Sequence, residues 1–205
     1  MGIVYMDKQT YKEELAGFEQ EYMDSCFDDT CQYIKKETDT HGRQIWEELR
    51  ETLYRLLPRV KAAQAENKKG DAGYLLFSFM WYCAAIGKLE YQADILDDSY
   101  YLDRYETTEY YCPAFLQDRY REDLNYLKGK AERTLVRVQQ FQVMEIQEIY
   151  TRWYNAIVFR LLEGMAEMAM EEIMESGIRI TDRFQILYGD YMGKTVILYE
   201  KGREE

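Results

Sequence analysis

Residues 75–86 read L-L-F-S-F-M-W-Y-C-A-A-I, the longest apolar run in the chain, and its assignment decides the fold. At 12 residues it is well short of the ~20 needed to span a bilayer, which directs it to a protein interior. A run that is apolar all round fits a helix buried on most sides, so the segment from Tyr74 onward reads as the central helix of the fold. The rest of the chain then has to supply amphipathic helices around it.

Upstream, T-Y-K-E (Thr10 to Glu13) has capping-box spacing, and Leu15, Phe18, Tyr22, Phe27 and Ile34 recur at helical intervals. This predicts a helix from 10 to 37. T-D-T-H-G (38–42) reads as a turn, with His41 capping or solvated. Ile45, Leu49, Leu53, Leu56, Val60 and Ala63 then predict a second helix, bent near Pro58. N-K-K-G-D-A-G (67–73) breaks the pattern before the apolar run. Downstream, the sequence continues the central helix, breaks around Glu106 to Pro113, and resumes as a helical pattern over 114–127. Residues 130–176 contain strong helix formers and no proline, predicting one long helix or two, with Gly177 as the left-handed residue at the end.

The final segment changes character. F-Q-I-L-Y, G-D-Y-M-G and K-T-V-I-L-Y (184–199) are aromatic and β-branched around a glycine-bounded turn, which predicts a β-hairpin. Apolar residues fall on both faces of each strand, so the hairpin needs a cover: a helix, a third strand such as Ile3 to Tyr5, or a second copy of the chain. The expected architecture is mainly α: a single domain over 1–205, an irregular bundle of about five helices, with the hairpin appended at 183–200.

The formal net charge is −12, from 38 acidic and 26 basic residues. That balance disfavours nucleic acid and anionic membrane as partners and favours a protein with a basic or mixed surface. Four cysteines without a C-x-x-C, and an N-terminus M-G-I-V-Y-M-D without a basic and apolar leader, predict reduced thiols in the cytoplasm.

Function is sought first in residues 91–126, which hold eight of the 20 tyrosines among many acids. Tyrosine gives large contact area for little lost side-chain entropy, so a surface cluster suggests recognition. The expectation is a non-enzymatic, acidic, helical interaction module without a cofactor. Its contacts are Tyr100, Tyr101, Tyr105, Glu106, Glu109, Tyr110 and Tyr111, with aromatic anchors for binding and carboxylates for steering.

Within the same stretch, Asp97, Asp98 and Asp103 form D-D-x-x-x-x-D, a spacing that resembles the aspartate-rich motif of all-α isoprenyl diphosphate synthases. The resemblance covers these residues only. It implies Mg²⁺ held by the three carboxylates and a phosphorylated or diphosphate substrate, which is the enzymatic alternative. W-E-E-L-R-E, with Glu47, Glu48 and Glu51, resembles the first half of the E-E-x-x-E pattern of all-α nucleotide pyrophosphohydrolases. Ordinary helical surface charge, relieved by Arg50 and Arg55, is the preferred account of it. Glu163, Glu167, Glu171 and Glu175 recur every four residues and read as a solvated face. G-D-Y-M-G-K-T (189–195) has three residues between its glycines where a phosphate-binding loop needs four, and a strand follows it, so it reads as a hairpin turn. Met165, Met168, Met170 and Met174 define a third class, a helical bundle holding an apolar small ligand.

Overall fold

The apolar run is a strand. The computed structural model describes residues 8–135 and 139–202, and in it Ala72–Phe79 forms β1, while helix is confined to the single turn α3 (Trp81–Ala84). Asn67, at φ 55°, and the glycines beyond it end the preceding helix and leave only eight residues for the next element. A strand covered on both faces is as uniformly apolar as a buried helix, and the run is shared between the end of β1, through Phe79, and the turn of α3. Leu75, Phe77 and Phe79 point to one side of the sheet and Leu76 and Ser78 to the other.

Tyr91–Asp97 is a second strand, β2, rather than a continuation of a central helix, and β3 (Thr108–Tyr111) follows it. The C-terminal hairpin is formed by β4 (Ile180–Asp190) and β5 (Thr195–Glu200). It is not an appendage. β4 lies beside β1, parallel, with Leu75 opposite Ile186, and the five strands run β3-β2-β1-β4-β5. The architecture is therefore a mixed five-stranded sheet with helices against one face, which corrects the expected all-helical bundle. Parallel pairing needs a long crossover. Two helices supply it, α4 (Ala114–Thr134) and α5 (Gln140–Glu175).

The helical periodicities hold better. α1 (Lys8–Phe18) passes through a π-helical turn at Glu19–Met23 into α2 (Asp24–Ala65), which bends at His41 (φ −124°, ψ 18°) where the turn was expected. Pro58 lies inside α2, and Thr10 to Glu13 lies inside α1 rather than capping it. Gly177 ends α5 at φ 71°, and Lys61 Nζ donates to the Ser176 carbonyl at 2.8 Å. The third strand expected at Ile3 to Tyr5 lies outside the described residues.

One main core joins the helices to the sheet: Leu49, Leu53 and Leu56 of α2, Tyr120 of α4, and Tyr154 and Val158 of α5 meet Phe77, Tyr91 and Ile186. The outer face carries a smaller cluster of Leu76, Leu96 and Leu187, against which Tyr74 and Tyr100 pack. No helix among the described residues is long and apolar enough to cross a membrane.

Candidate protein-interaction surface

The segment between β2 and β3 straps the outer face of the sheet, and an ion pair pins it. Lys69 and Asp103 have side chains 0% and 2% exposed and are in direct contact through Nζ and Oδ2. Lys69 also donates to the Tyr105 carbonyl at 2.9 Å. Asp103 accepts the Asp97 amide at 3.0 Å and the Tyr105 amide at 2.9 Å. A buried charge survives only when paired and hydrogen-bonded, and both members meet that condition.

The aspartates of the D-D-x-x-x-x-D motif consequently have separate tasks. Asp103 holds the strap, Asp97 accepts the Ser99 amide at 2.9 Å, and Asp98 faces solvent. Among the described residues, no group of three or more His, Cys, Asp or Glu side chains is arranged to hold a metal ion.

The strap presents the tyrosines. Tyr100, in left-handed geometry at φ 57°, stacks edge-on against Tyr74 with centroids 4.9 Å apart, and Tyr101 packs on Tyr100 at 4.3 Å. Tyr101 nonetheless stays 38% exposed, with Leu102 at 81% and Tyr110 at 47%. Tyr105 and Glu106 are also on the surface. Partial burial and then the Tyr100 hydroxyl push the Tyr101 hydroxyl up to about 12. Tyr191 and Met192, at the tip of the β4–β5 turn, are exposed as well. That turn closes with the Gly193 amide on the Asp190 carbonyl at 2.9 Å, as expected for a hairpin turn and not a phosphate loop.

Two expected contacts face inward. Tyr111 is 1% exposed and packs edge-on against Phe77 in the main core, and burial raises its hydroxyl well above the ordinary range. Its neighbour Tyr110 points the opposite way because side chains alternate along a strand. Glu109 is taken by Arg59 at 2.8 Å and Arg55 at 3.7 Å, which bind β3 to α2. Arg59 also donates to the Thr108 carbonyl at 2.8 Å, occupying this sheet edge.

At the other edge, Val196 and Ile197 are exposed, but a bulge between the Ile186 and Leu187 pairings distorts β5. Bulges of this kind blunt an edge against strand addition.

On the outer face, Asp94 accepts the Gln92 amide at 2.9 Å and the Thr108 hydroxyl, and burial raises its carboxyl above the ordinary range. Sequence reasoning missed Lys69, because nothing in N-K-K-G-D marks which lysine is buried. It also missed a polar centre on the helical side. Asp123, 3% exposed, accepts from Thr30 at 2.6 Å, Tyr154 at 2.7 Å and Tyr150 at 2.9 Å, and pairs with Arg119 at 3.0 Å. Here a signal existed: Tyr120, Asp123 and Leu127 share one helical stripe, so an acid stands where the pattern wants an apolar residue.

The remaining acids are ordinary. Glu47 and Glu51 pair with Arg50 and Arg55, and Glu48 accepts the Ala114 amide at 2.9 Å at the start of α4. Glu163, Glu167, Glu171 and Glu175 are solvent-exposed. Met165 and Met170 are core, while Met168 and Met174 are on the surface. All four cysteines are unpaired. Compared with known protein families, curated proteins and solved structures, the chain matches none.

Proposed function

We propose that the protein is a non-enzymatic interaction module that engages a protein partner through the outer face of its sheet. Tyr101, Leu102, Tyr105 and Tyr110 are the anchors, and Glu106 and Asp98 steer a basic or mixed partner surface toward them. The observation that carries this reading is the pinned strap: a buried ion pair at Lys69 and Asp103 holds large apolar side chains in water instead of letting them fold inward. Rigid, exposed aromatic residues rimmed by charge are the usual composition of binding hot spots. The acidic balance and unpaired thiols fit a cytoplasmic setting and a partner other than nucleic acid or membrane.

Photo-crosslinkers placed at Tyr105 and, as a control, at Tyr54, 78% exposed on α2, test this in cells of the source organism. A partner captured only from Tyr105 is then purified and titrated calorimetrically. Tyr101→Ala and Tyr110→Ala should each weaken it tenfold or more, as ~1.4 kcal/mol or greater per anchor implies. Unchanged affinity in both variants refutes the surface.

Mg²⁺-dependent chemistry at Asp97, Asp98 and Asp103 would require Asp103 to leave Lys69. A saturable Mg²⁺ heat that Asp97→Asn abolishes would favour that alternative.

A further inference from the structure

A groove of about 590 Å³ lies between α3 and the first half of α5, on the helical side of the sheet. Its apolar walls are Trp81, Ala84, Ala85, Phe141 and Met144, and Glu145 and Glu148 add two carboxylates less than one helical turn apart. Phe141 is 61% and Met144 55% exposed, so among the described residues these walls stay open to solvent, with the Tyr11 ring of α1 edge-on to Phe141 at 6.2 Å. Large apolar side chains grouped this way mark a binding surface, and the volume is that of small-ligand sites. The polar atoms of Gln147 and Thr151 are already engaged internally, by the Ala84 and Gln147 carbonyls. The carboxylates are therefore the groove's main polar feature, with Glu145 also accepting the Tyr11 hydroxyl at 2.5 Å.

Beside the groove, the chain's own Arg152 already pairs with Glu148 and shows how such a cation is held. The Arg152 guanidinium sits 5.5 Å from the Trp81 ring centroid while its Nη2 bonds Glu148 at 2.7 Å. An aromatic face beside a carboxylate is the arrangement that selects cations with an apolar body. We infer that this groove binds a small amphiphilic amine, its ammonium at Glu145 and, in competition with Arg152, at Glu148, and its apolar body against Phe141, Met144 and the two alanines. The net charge of −12 raises the local concentration of such cations.

Calorimetric titration of the full chain with 4-phenylbutylamine, 4-phenylbutanol and 4-phenylbutyrate tests the assignment, because the three share a body and differ in head charge. The amine should bind saturably at one site, the alcohol roughly tenfold more weakly, and the carboxylate not at all. Glu145→Gln with Glu148→Gln should bring the amine down to the affinity of the alcohol. Phe141→Ser with Met144→Ser should remove both ligands. All four side chains are exposed, so these variants keep the fold, which circular dichroism checks. Tyr101→Ala, on the outer face, should leave amine binding unchanged, which separates this site from the partner surface. An amine that fails to saturate, binds no better than the carboxylate, or binds the double glutamine variant unchanged overturns the inference.

Discussion

Lys69 and Asp103 are the residues on which the outer face depends, because each would be an isolated buried charge without the other. Replacing Lys69 by Met leaves the Asp103 carboxylate with two amide donors and no counter-charge. The expected loss is about 3–5 kcal/mol by chemical denaturation. Adding Asp103→Asn removes the orphaned charge, so the double variant should be more stable than Lys69→Met alone; strictly additive losses would mean that the two residues are not coupled. Asp123 behaves similarly but serves more donors. Asp123→Ala strands Thr30, Tyr150, Tyr154 and Arg119 together and should cost at least ~3 kcal/mol. Asp123→Asn keeps an acceptor oxygen and should cost less. Equal losses would show that charge, rather than hydrogen bonding, governs the site.

Among the elements, the hairpin illustrates how tightly the strands approach. A Cβ on Gly189 would stand 2.2 Å from the Lys194 carbonyl oxygen and 2.9 Å from the Thr195 Cα across the β4–β5 pair. Since both neighbours are backbone, Gly189→Ala should open the hairpin near its turn, costing more than ~2 kcal/mol and exposing β5 amides to hydrogen exchange. Protection unchanged from Thr195 to Ile197 would contradict this. The hairpin was legible because its two strands and turn are contiguous. So was the α2 stripe of Ile45, Leu49, Leu53, Leu56, Val60 and Ala63, every member of which is buried. β1 was not legible. Its two-sided burial erases the alternation that distinguishes strand from helix, and its parallel partner β4 lies about a hundred residues away, at Gln185–Asp190 opposite Tyr74–Phe79. β2 does alternate, with Tyr91, Ala93 and Ile95 inward and Gln92 and Asp94 outward, but seven residues adjoining an apolar run are easily absorbed into it. The same alternation divides the candidate surface, exposing Tyr110 and burying Tyr111 next to it. A helical reading of the preceding segment could not make that division.

The molecule as a whole spends many of its tyrosines inside, and this fixes its response to alkali. Tyr91, Tyr111, Tyr120, Tyr150, Tyr154 and Tyr188 are buried, and burial is the first cause raising each hydroxyl above the ordinary value. Tyr150 and Tyr154 are raised further by the Asp123 charge they donate to. An unfolded tyrosine loses its proton near pH ~10, whereas these six keep theirs in the folded state. Their stabilisation is therefore complete below about pH 10 and is lost as pH rises beyond it, because the unfolded chain then binds fewer protons. Each ring contributes up to ~1.4 kcal/mol per pH unit, so several buried rings together reach the whole stability of a typical domain within a unit or two. Unfolding should accordingly be complete within one to two units above that threshold. Phenolate absorbance and far-ultraviolet circular dichroism, followed together, test the argument. The six buried rings should ionise in one step that coincides with the loss of secondary structure. Gradual ionisation of all 20 tyrosines with the circular dichroism intact would mean that water reaches the α2–α4–α5 interior.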